Sequence, residues 1–208
     1  MKLYSGLYDE FHPFDTFFPK AQCRVVNTTD DFEGPGILIF HGGAVISPSL
    51  YNKQPSKKTW AGVKASPRDQ LEWELMQGAK AQGIFIMGIC RGAQMLCALA
   101  GGYLIQHVEG HSGTHYVTDK KGYKFQVNSI HHQMQAPWDV PHELMAVTSQ
   151  PLSGQYWDED TQVSVPNEPE AVYYPELRGL GVQWHPEMLS HQTPANVWLL
   201  QQLEQKYA

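Results

Sequence analysis

Two short runs of consecutive apolar residues dominate the pattern of the chain. Gly36–Phe40 and residues 84–87 are hydrophobic without polar alternation, which is typical of parallel strands buried on both faces. Between them, residues 67–82 carry an apolar stripe at helical spacing, with Ser66 placed to cap the helix and Pro67 in its first turn. A strand, helix, strand order of this kind predicts a parallel sheet with right-handed crossovers.

Further elements are predicted on both sides of this unit. A second helix begins at Arg91 and ends at Gly101 and Gly102. Other predicted elements are strands at 2–7, 23–26, 103–106 and 143–149, a hairpin of 116–118 with 123–127, and an amphipathic helix over 193–207. The polar segment 52–66 is predicted to be a mobile loop near the pocket, and 155–170 an acidic loop without assigned chemistry.

The turn between the second buried strand and its helix carries a cysteine. Gly88 and Gly92 flank Cys90 in a G-x-C-x-G arrangement, which permits the sharp strand-to-helix turn that presents a nucleophile. At a helix N-terminus, unpaired amides favour a thiolate, and the Arg91 amide can donate to an oxyanion. The alternative is an inert core thiol, and a partner base is needed to choose between the two.

A His-Pro-Glu sequence after a predicted strand supplies a candidate base. Because Pro186 favours an extended backbone at the preceding residue, the side chains of His185 and Glu187 are expected to project to one side. A carboxylate on one ring nitrogen orients the imidazole and stabilises the imidazolium that forms when the other nitrogen takes the thiol proton. Together with Cys90, these residues predict a Cys-His-Glu triad.

Two polar loops could complete such a site. His41, Gly42 and Gly43 follow the first buried strand, where an amide could provide a second oxyanion donor or simply form a strand-exit turn. Residues 128–133 are rich in hydrogen-bonding groups, which is consistent with substrate contact or with a self-satisfied polar loop. Both alternatives stay open for each loop.

Composition narrows the class of protein. The chain has 208 residues, 42% of them hydrophobic, and is expected to form a single domain over 1–208. Its net charge of −6 without a basic run argues against nucleic-acid and anionic membrane partners. Three cysteines without a C-x-x-C pair predict no disulfide framework, and no apolar run approaches the ~20 residues of a membrane span. We therefore expect a cytoplasmic protein.

Three histidines at a spacing of four residues raise the question of a metal site. His107, His111 and His115 would share one face of a helix, but Gly110 and Gly113 disfavour that helix. No cysteine or clustered carboxylate joins them in the sequence. We therefore expect no metal and no other cofactor.

Two motifs together carry a family resemblance. G-I-C-R-G-A-Q at 88–94 and G-V-Q-W-H-P-E at 181–187 resemble those of the class I glutamine amidotransferase superfamily. Three further stretches resemble its γ-glutamyl hydrolase branch (peptidase C26), notably the γ-glutamyl-γ-aminobutyrate hydrolases. They are 41–51, similar to P-G-G-G-D-V-D-P-x-x-Y; 67–72, similar to P-x-R-D-x-x-E; and 128–133, similar to N-S-x-H-H-Q. His41, Val45 and Ser47 depart from the first pattern.

The resemblance implies a flavodoxin-like three-layer α/β sandwich with a mostly parallel central sheet. It also implies that Cys90, His185 and Glu187 are catalytic, that the amides of Gly43 and Arg91 form the oxyanion hole, and that Gln94, Ser129 and His131 contact the glutamyl group. The implied reaction is hydrolysis of a γ-glutamyl amide through a thioester, which releases glutamate and an amine or ammonia.

Several functional alternatives remain at this point. The substrate is expected to be a small γ-glutamyl compound, but the chain could instead be a glutaminase subunit that passes ammonia to a separate synthase. A homo-oligomer is equally open. A non-catalytic ligand-binding domain on the same scaffold is the remaining alternative, and loss of any triad residue would have favoured it.

Overall fold

The computed structural model describes residues 1–207. The strands are β1 (Lys2–Gly6), β2 (Gln22–Val26), β3 (Gly36–Phe40), β4 (Phe85–Ile89), β5 (Tyr103–Ile105), β6 (His107–Val108), β7 (Ser112–Asp119), β8 (Lys124–Ile130), β9 (Met134–Ala136), β10 (Glu143–Thr148), β11 (Tyr156–Asp158), β12 (Thr161–Val163), β13 (Pro169–Tyr174) and β14 (Gly179–Val182). The helices are α1 (Phe14–Phe17), α2 (Pro67–Ala81), α3 (Arg91–Leu99) and α4 (Pro194–Tyr207). Within residues 1–207, no helix combines the length and the apolar character needed to cross a bilayer.

A large mixed sheet forms the centre of the molecule. In the described part of the chain it has nine strands, in the order β2-β1-β3-β4-β14-β13-β10-β7-β8. The strands from β2 to β14 in that order are parallel, and the remaining pairings are antiparallel. The parallel part has the 2-1-3-4-5 order of flavodoxin-like sheets. The predicted flavodoxin-like α/β fold is therefore confirmed.

The apolar run of β3 divides its side chains between two hydrophobic cores. Ile37 and Ile39 pack on the side of the sheet covered by α1 and α4, whereas Leu38 and Phe40 pack on the side covered by α2 and α3. This division follows from the period of two in a strand. It explains why the strand is hydrophobic at every position and produces the predicted three layers.

Helix α2 begins where the sequence predicts. Ser66 Oγ accepts a hydrogen bond from the Asp69 amide at 3.1 Å, and the Asp69 carboxylate accepts one from the Ser66 amide at 2.8 Å. This capping box satisfies two amides at the helix start, and Pro67 occupies the first turn without needing a donor partner. The buried face of the helix consists of Asp69, Glu72, Leu75, Met76 and Ala79.

The acidic stretch 155–170 is more ordered than the predicted loop. It contains β11 and β12 and leads directly into β13. Lys53 Nζ lies 2.8 Å from Asp158 Oδ2, and the Lys57 amide donates to Asp160 Oδ1 at 2.8 Å. The acidic stretch therefore binds the polar segment 52–66, and these contacts give both segments a structural role.

The turn after β4 brings two backbone segments very close together. A Cβ atom on Gly92 would lie 2.4 Å from the Phe40 carbonyl oxygen, and one on Gly88 would lie 2.5 Å from the Gly92 carbonyl carbon. Backbone atoms cannot move aside as a flexible side chain can. Glycine is therefore required on both sides of the elbow.

We predict that Gly92→Ala lowers the free energy of unfolding by about 1–3 kcal/mol, because the added methyl overpacks the elbow. Gly154→Ala is the matched control, since no described atom lies within 4 Å of its added Cβ. The control should stay within about 0.5 kcal/mol of the wild type in urea unfolding. Equal stability of the two variants would contradict this account of the elbow.

Candidate active site

Cys90 occupies a strained turn between β4 and α3. Its backbone has φ 49° and ψ −102°, a combination that non-glycine residues rarely adopt. The Cys90 amide donates to the Val182 carbonyl of β14 at 2.7 Å, which holds the turn against the neighbouring strand. Only 5% of the residue is exposed, yet it lines two adjoining cavities. The thiol is thus accessible from two cavities and shielded elsewhere.

The other two cysteines lie in different environments. Cys23 is exposed on β2, where partial burial, Asp15 and Asp9 raise its thiol pKa. Cys97 is buried on α3, and desolvation raises its pKa to about 11. Neither position favours a thiolate, so Cys90 remains the candidate nucleophile.

His185 and Glu187 follow β14 and lie in the same cavity wall as Cys90. His185 Nδ1 and Glu187 Oε1 are 2.6 Å apart, so the carboxylate fixes the orientation of the imidazole ring. His185 Nε2 has no hydrogen-bond partner among residues 1–207, so it is the ring nitrogen available for proton exchange. The structure therefore brings together the three side chains of the predicted triad.

The side chain of Asn128, which the sequence analysis did not single out, binds both the backbone amide and the backbone carbonyl of His185. The Asn128 side chain accepts from the His185 amide at 2.8 Å and donates to the His185 carbonyl at 2.9 Å. This paired contact fixes the backbone that carries the imidazole. Its position in the N-S-x-H-H-Q stretch was the only signal in the sequence.

The electrostatic environment of His185 favours its charged form. Burial by itself lowers the pKa of His185, but the neighbouring Cys90 and the Glu187 carboxylate outweigh it and raise the pKa to about 10. An imidazolium beside the sulfur is the partner that a thiolate requires. The imidazolium therefore holds a proton in the wall of the cavity that Cys90 also lines.

The loop after β3 packs directly against this imidazole. A Cβ on Gly42 would lie 2.5 Å from His185 Cε1, so only glycine permits this approach. Arg68 Nη2 donates to the Gly42 carbonyl at 3.1 Å. Gly43 has φ 146° and lines both cavities together with Cys90.

The Arg91 amide lies in the first turn of α3, where amides lack an intrahelical acceptor.

The Arg91 side chain has a role that the sequence did not predict. It is 2% exposed and forms ion pairs with Asp69 and Glu72 of α2, while Arg68 Nε also binds Glu72 at 2.8 Å. Desolvation lowers the pKa of Arg91 to about 10. This buried network ties the start of α2 to the helix behind Cys90.

The two cavities differ in size and chemistry. The larger has a volume of about 580 Å³ and is lined by Tyr8, Glu10, Ile130 and Met188 in addition to the triad. The smaller has a volume of about 230 Å³ and contains Trp60. Cys90 lies where the two cavities meet.

The structure places two of the three predicted glutamyl-contact residues in the smaller cavity. Gln94 and His131 line the smaller cavity, and both bind the Gln133 carbonyl, through Gln94 Nε2 at 2.8 Å and His131 Nδ1 at 3.0 Å. Ser129 is buried, but it is not among the described residues that line this cavity. Burial lowers the pKa of His131.

Comparison with known proteins finds a similarity to one family over the part of the chain that contains Cys90. The Peptidase C26 family model matches residues 34–136. The glutamine amidotransferase-like protein YvdE of Lactococcus lactis is 29% identical over 171 residues, which are 72% of this chain and 65% of that protein. This chain therefore spans slightly less than two thirds of that relative.

Solved structures share the fold at low sequence identity. A glutamine amidotransferase of Thermotoga maritima aligns over 99% of this chain and 85% of its own, with a TM-score of 0.59 and 16% identity. The glutaminase domain of Trypanosoma brucei CTP synthase aligns over 98% and 92%, with a TM-score of 0.58 and 14% identity. These likenesses support the fold described above.

We predict that the His185 ring stays protonated at about pH 8 and loses its proton only as the pH rises through about 10. Nitrogen NMR of the histidine rings measures this, with His185→Gln to assign the signal. Glu187→Gln should lower the pKa, because it removes the charge that stabilises the imidazolium. A neutral His185 ring at about pH 7 in the wild type would contradict the assignment.

Proposed function

We propose that this chain is a member of the class I glutamine amidotransferase superfamily, in its Peptidase C26 branch, and that it hydrolyses a γ-glutamyl amide bond. The family is one of hydrolase-type enzymes. The observation that carries the proposal is the 2.6 Å contact of His185 with Glu187 in the cavity that Cys90 also lines. Cys90 is the proposed nucleophile, His185 the base and acid, and Glu187 the group that orients it.

In the first half of the reaction, the Cys90 thiolate adds to the carbonyl carbon of the γ-glutamyl amide. The carbonyl electrons move to oxygen, where the amides of Gly43 and Arg91 donate to the developing charge. His185 then gives its Nε2 proton to the leaving nitrogen as the C–N bond breaks. The products are a free amine and a γ-glutamyl thioester on Cys90.

In the second half, a water molecule replaces the amine. His185 Nε2 takes one of its protons while the oxygen attacks the thioester carbonyl. The C–S bond breaks, the thiolate and the imidazolium are restored, and glutamate leaves. The Glu187 carboxylate stabilises the imidazolium at both stages without losing or gaining a proton.

The two cavities suggest how the substrate is oriented. The smaller cavity, with Gln94 and His131, suits the glutamyl group because it offers polar groups in a small volume. The larger, with Tyr8, Ile130 and Met188, suits the leaving amine. Ser129 is proposed to support the glutamyl pocket from behind.

A glutaminase subunit is the second candidate. The fold that this chain shares with the glutaminase domain of Trypanosoma brucei CTP synthase is the observation that favours it. In that case the amine released is ammonia, and a separate synthase is the partner.

We predict that the purified protein releases glutamate from a γ-glutamyl amine and that Cys90→Ala lowers kcat by about 10³-fold or more. Glu187→Gln should keep a measurable remnant, because the oxyanion donors are intact. Cys23→Ala is the matched control and should retain full activity, since Cys23 is exposed on β2. Glutamate release is measured for each variant under the same conditions.

The substrate set separates the candidates. Glutamine and γ-glutamyl-aminobutyrate are tested in parallel, alone and with cell lysate. Low glutaminase activity that lysate increases would favour the subunit, whereas direct turnover of the γ-glutamyl amine favours the hydrolase. Equal activity of Cys90→Ala and wild type would overturn the assignment of Cys90 as nucleophile. No glutamate release in any arm would overturn the proposed hydrolysis and favour a ligand-binding domain.

A further inference from the structure

A second cluster of ionisable side chains is buried behind the smaller cavity, and of its members only His131 also lines that cavity. His111, His115 and His131 converge on Glu170 of β13, and Glu168 lies beside His111. Each of these residues is at most 8% exposed. Buried groups of this kind require a compensating charge or hydrogen bond.

The donor atoms of the cluster lie near enough to one another to be brought onto a single metal ion. Glu170 Oε1 lies 3.5 Å from His111 Nδ1, 3.0 Å from His115 Nε2 and 3.7 Å from His131 Nε2. Donors held at 2.0–2.1 Å by a tetrahedral zinc ion lie about 3.4 Å apart. The ligand atoms of His111, His131 and Glu170 all lie within 4.8 Å of one another, so side-chain shifts of roughly an ångström would close the site.

The outward-facing nitrogens of two of these rings have the partners that metal-binding histidines usually have. His131 Nδ1 binds the Gln133 carbonyl at 3.0 Å, which directs Nε2 toward Glu170. His111 Nε2 lies 3.5 Å from Glu168 Oε2, which leaves Nδ1 facing Glu170. A carboxylate or carbonyl behind each imidazole fixes its orientation and increases its basicity as a ligand.

In the described part of the chain, two atoms within the cluster are left without a hydrogen-bond partner. Among residues 1–207, only histidine nitrogens lie within salt-bridge distance of Glu168 and Glu170. Within the same residues, Glu170 Oε2 and His131 Nε2 lack a hydrogen-bond partner. When Nδ1 of His131 donates to the carbonyl, the lone pair of Nε2 faces a carboxylate oxygen. A positive ion between them turns this repulsion into attraction.

We propose that His111, His131 and Glu170 bind a divalent transition-metal ion of the zinc class. His115 keeps its hydrogen bond to Glu170 and orients the carboxylate. His111 lies one residue before β7, His131 lies one residue after β8, and Glu170 is in β13, so the ion would link three strands of the antiparallel part of the sheet. Because His131 also binds the Gln133 carbonyl, the ion stabilises the loop that lines the smaller cavity.

The cluster has routes of entry for an ion. His115 also lines a separate cavity of about 570 Å³, together with Thr114, Tyr116 and Lys124. His131 lines the smaller cavity at Cys90 on the other side. An ion could therefore reach the cluster from either cavity, because each is lined by one of its histidines.

The test is zinc binding by the full chain, purified without a histidine tag. Cys90→Ala serves as the parent protein, so that Cys90 and His185 cannot bind zinc as a pair. The protein is stripped with a chelator, incubated with zinc chloride and desalted, and its metal content is measured by mass spectrometry. We expect about one zinc ion per chain and a higher melting temperature with zinc.

Single variants in the same parent locate the site. His111→Gln and Glu170→Gln should each reduce the bound zinc at least about tenfold, because each removes a ligand. His142→Gln is the matched control, since His142 binds the Val140 carbonyl outside the cluster and should retain the metal. Cobalt in place of zinc should give the visible absorption of a four-coordinate site in the parent and lose it in the variants.

Two results would overturn the proposal. One is that the Cys90→Ala parent retains no zinc after desalting, a measurement that does not depend on the folding of any cluster variant. The other is that folded His111→Gln retains as much zinc as His142→Gln. In either case the cluster is held by protons on its histidines rather than by a metal.

Discussion

The register between β4 and β14 is the constraint on which the candidate site depends. Ile89 of β4 pairs with Val182 of β14. The backbone amide of the next residue, Cys90, donates to the Val182 carbonyl at 2.7 Å. Val182 is three residues before His185. The thiol and the imidazole therefore meet because two adjacent parallel strands end at the same level, and ligand sites in such sheets lie beyond these carboxyl ends. A shift of one residue in this register would separate them.

The glycines around the elbow are a direct consequence of that constraint. Gly88 pairs with Gly181 across the two strands, and Gly92 lies against the Phe40 carbonyl of β3. The loop after β3 then brings Gly42 against the His185 ring. Three neighbouring strands thus carry the candidate nucleophile, the candidate base and the candidate oxyanion loop, and each close approach leaves no space for a side chain.

The buried ion pairs behind α3 serve the same geometry. Arg91 binds Asp69 and Glu72, so the helix that follows Cys90 is fixed to the start of α2. Placing these charges in the interior costs desolvation energy, and losing one partner of such a group typically costs about 3–5 kcal/mol. The network therefore makes the position of α3 depend on residues distant from the thiol in the sequence.

The elements that were predicted correctly are those whose signals lie in neighbouring residues. The buried runs of β3 and β4, the capped start of α2, the elbow at Cys90 and the His-Pro-Glu turn all depend on neighbouring residues. By contrast, β13 was not predicted, because Pro169 and Glu170 made its start resemble the preceding acidic stretch.

The remaining features could not be predicted because they join distant residues. The bond from Asn128 to the His185 backbone spans 57 positions, and the side-chain contacts of Arg91 reach 19 and 22 positions back. The convergence of His111 and His131 on Glu170 is of the same kind. The sequence analysis considered only a helix carrying His107, His111 and His115, whereas the chain places His115 on a strand.

The central claim is that Cys90 is the nucleophile of a γ-glutamyl site, and affinity labelling tests it most directly. A glutamine analogue with a diazoketone in place of the amide alkylates a thiol only where the glutamyl group is bound beside it. The account predicts one label per chain on the peptide containing Cys90, with labelling slowed by excess glutamate and lost in His185→Gln. Labelling of the exposed Cys23 while Cys90 stays unmodified would contradict it.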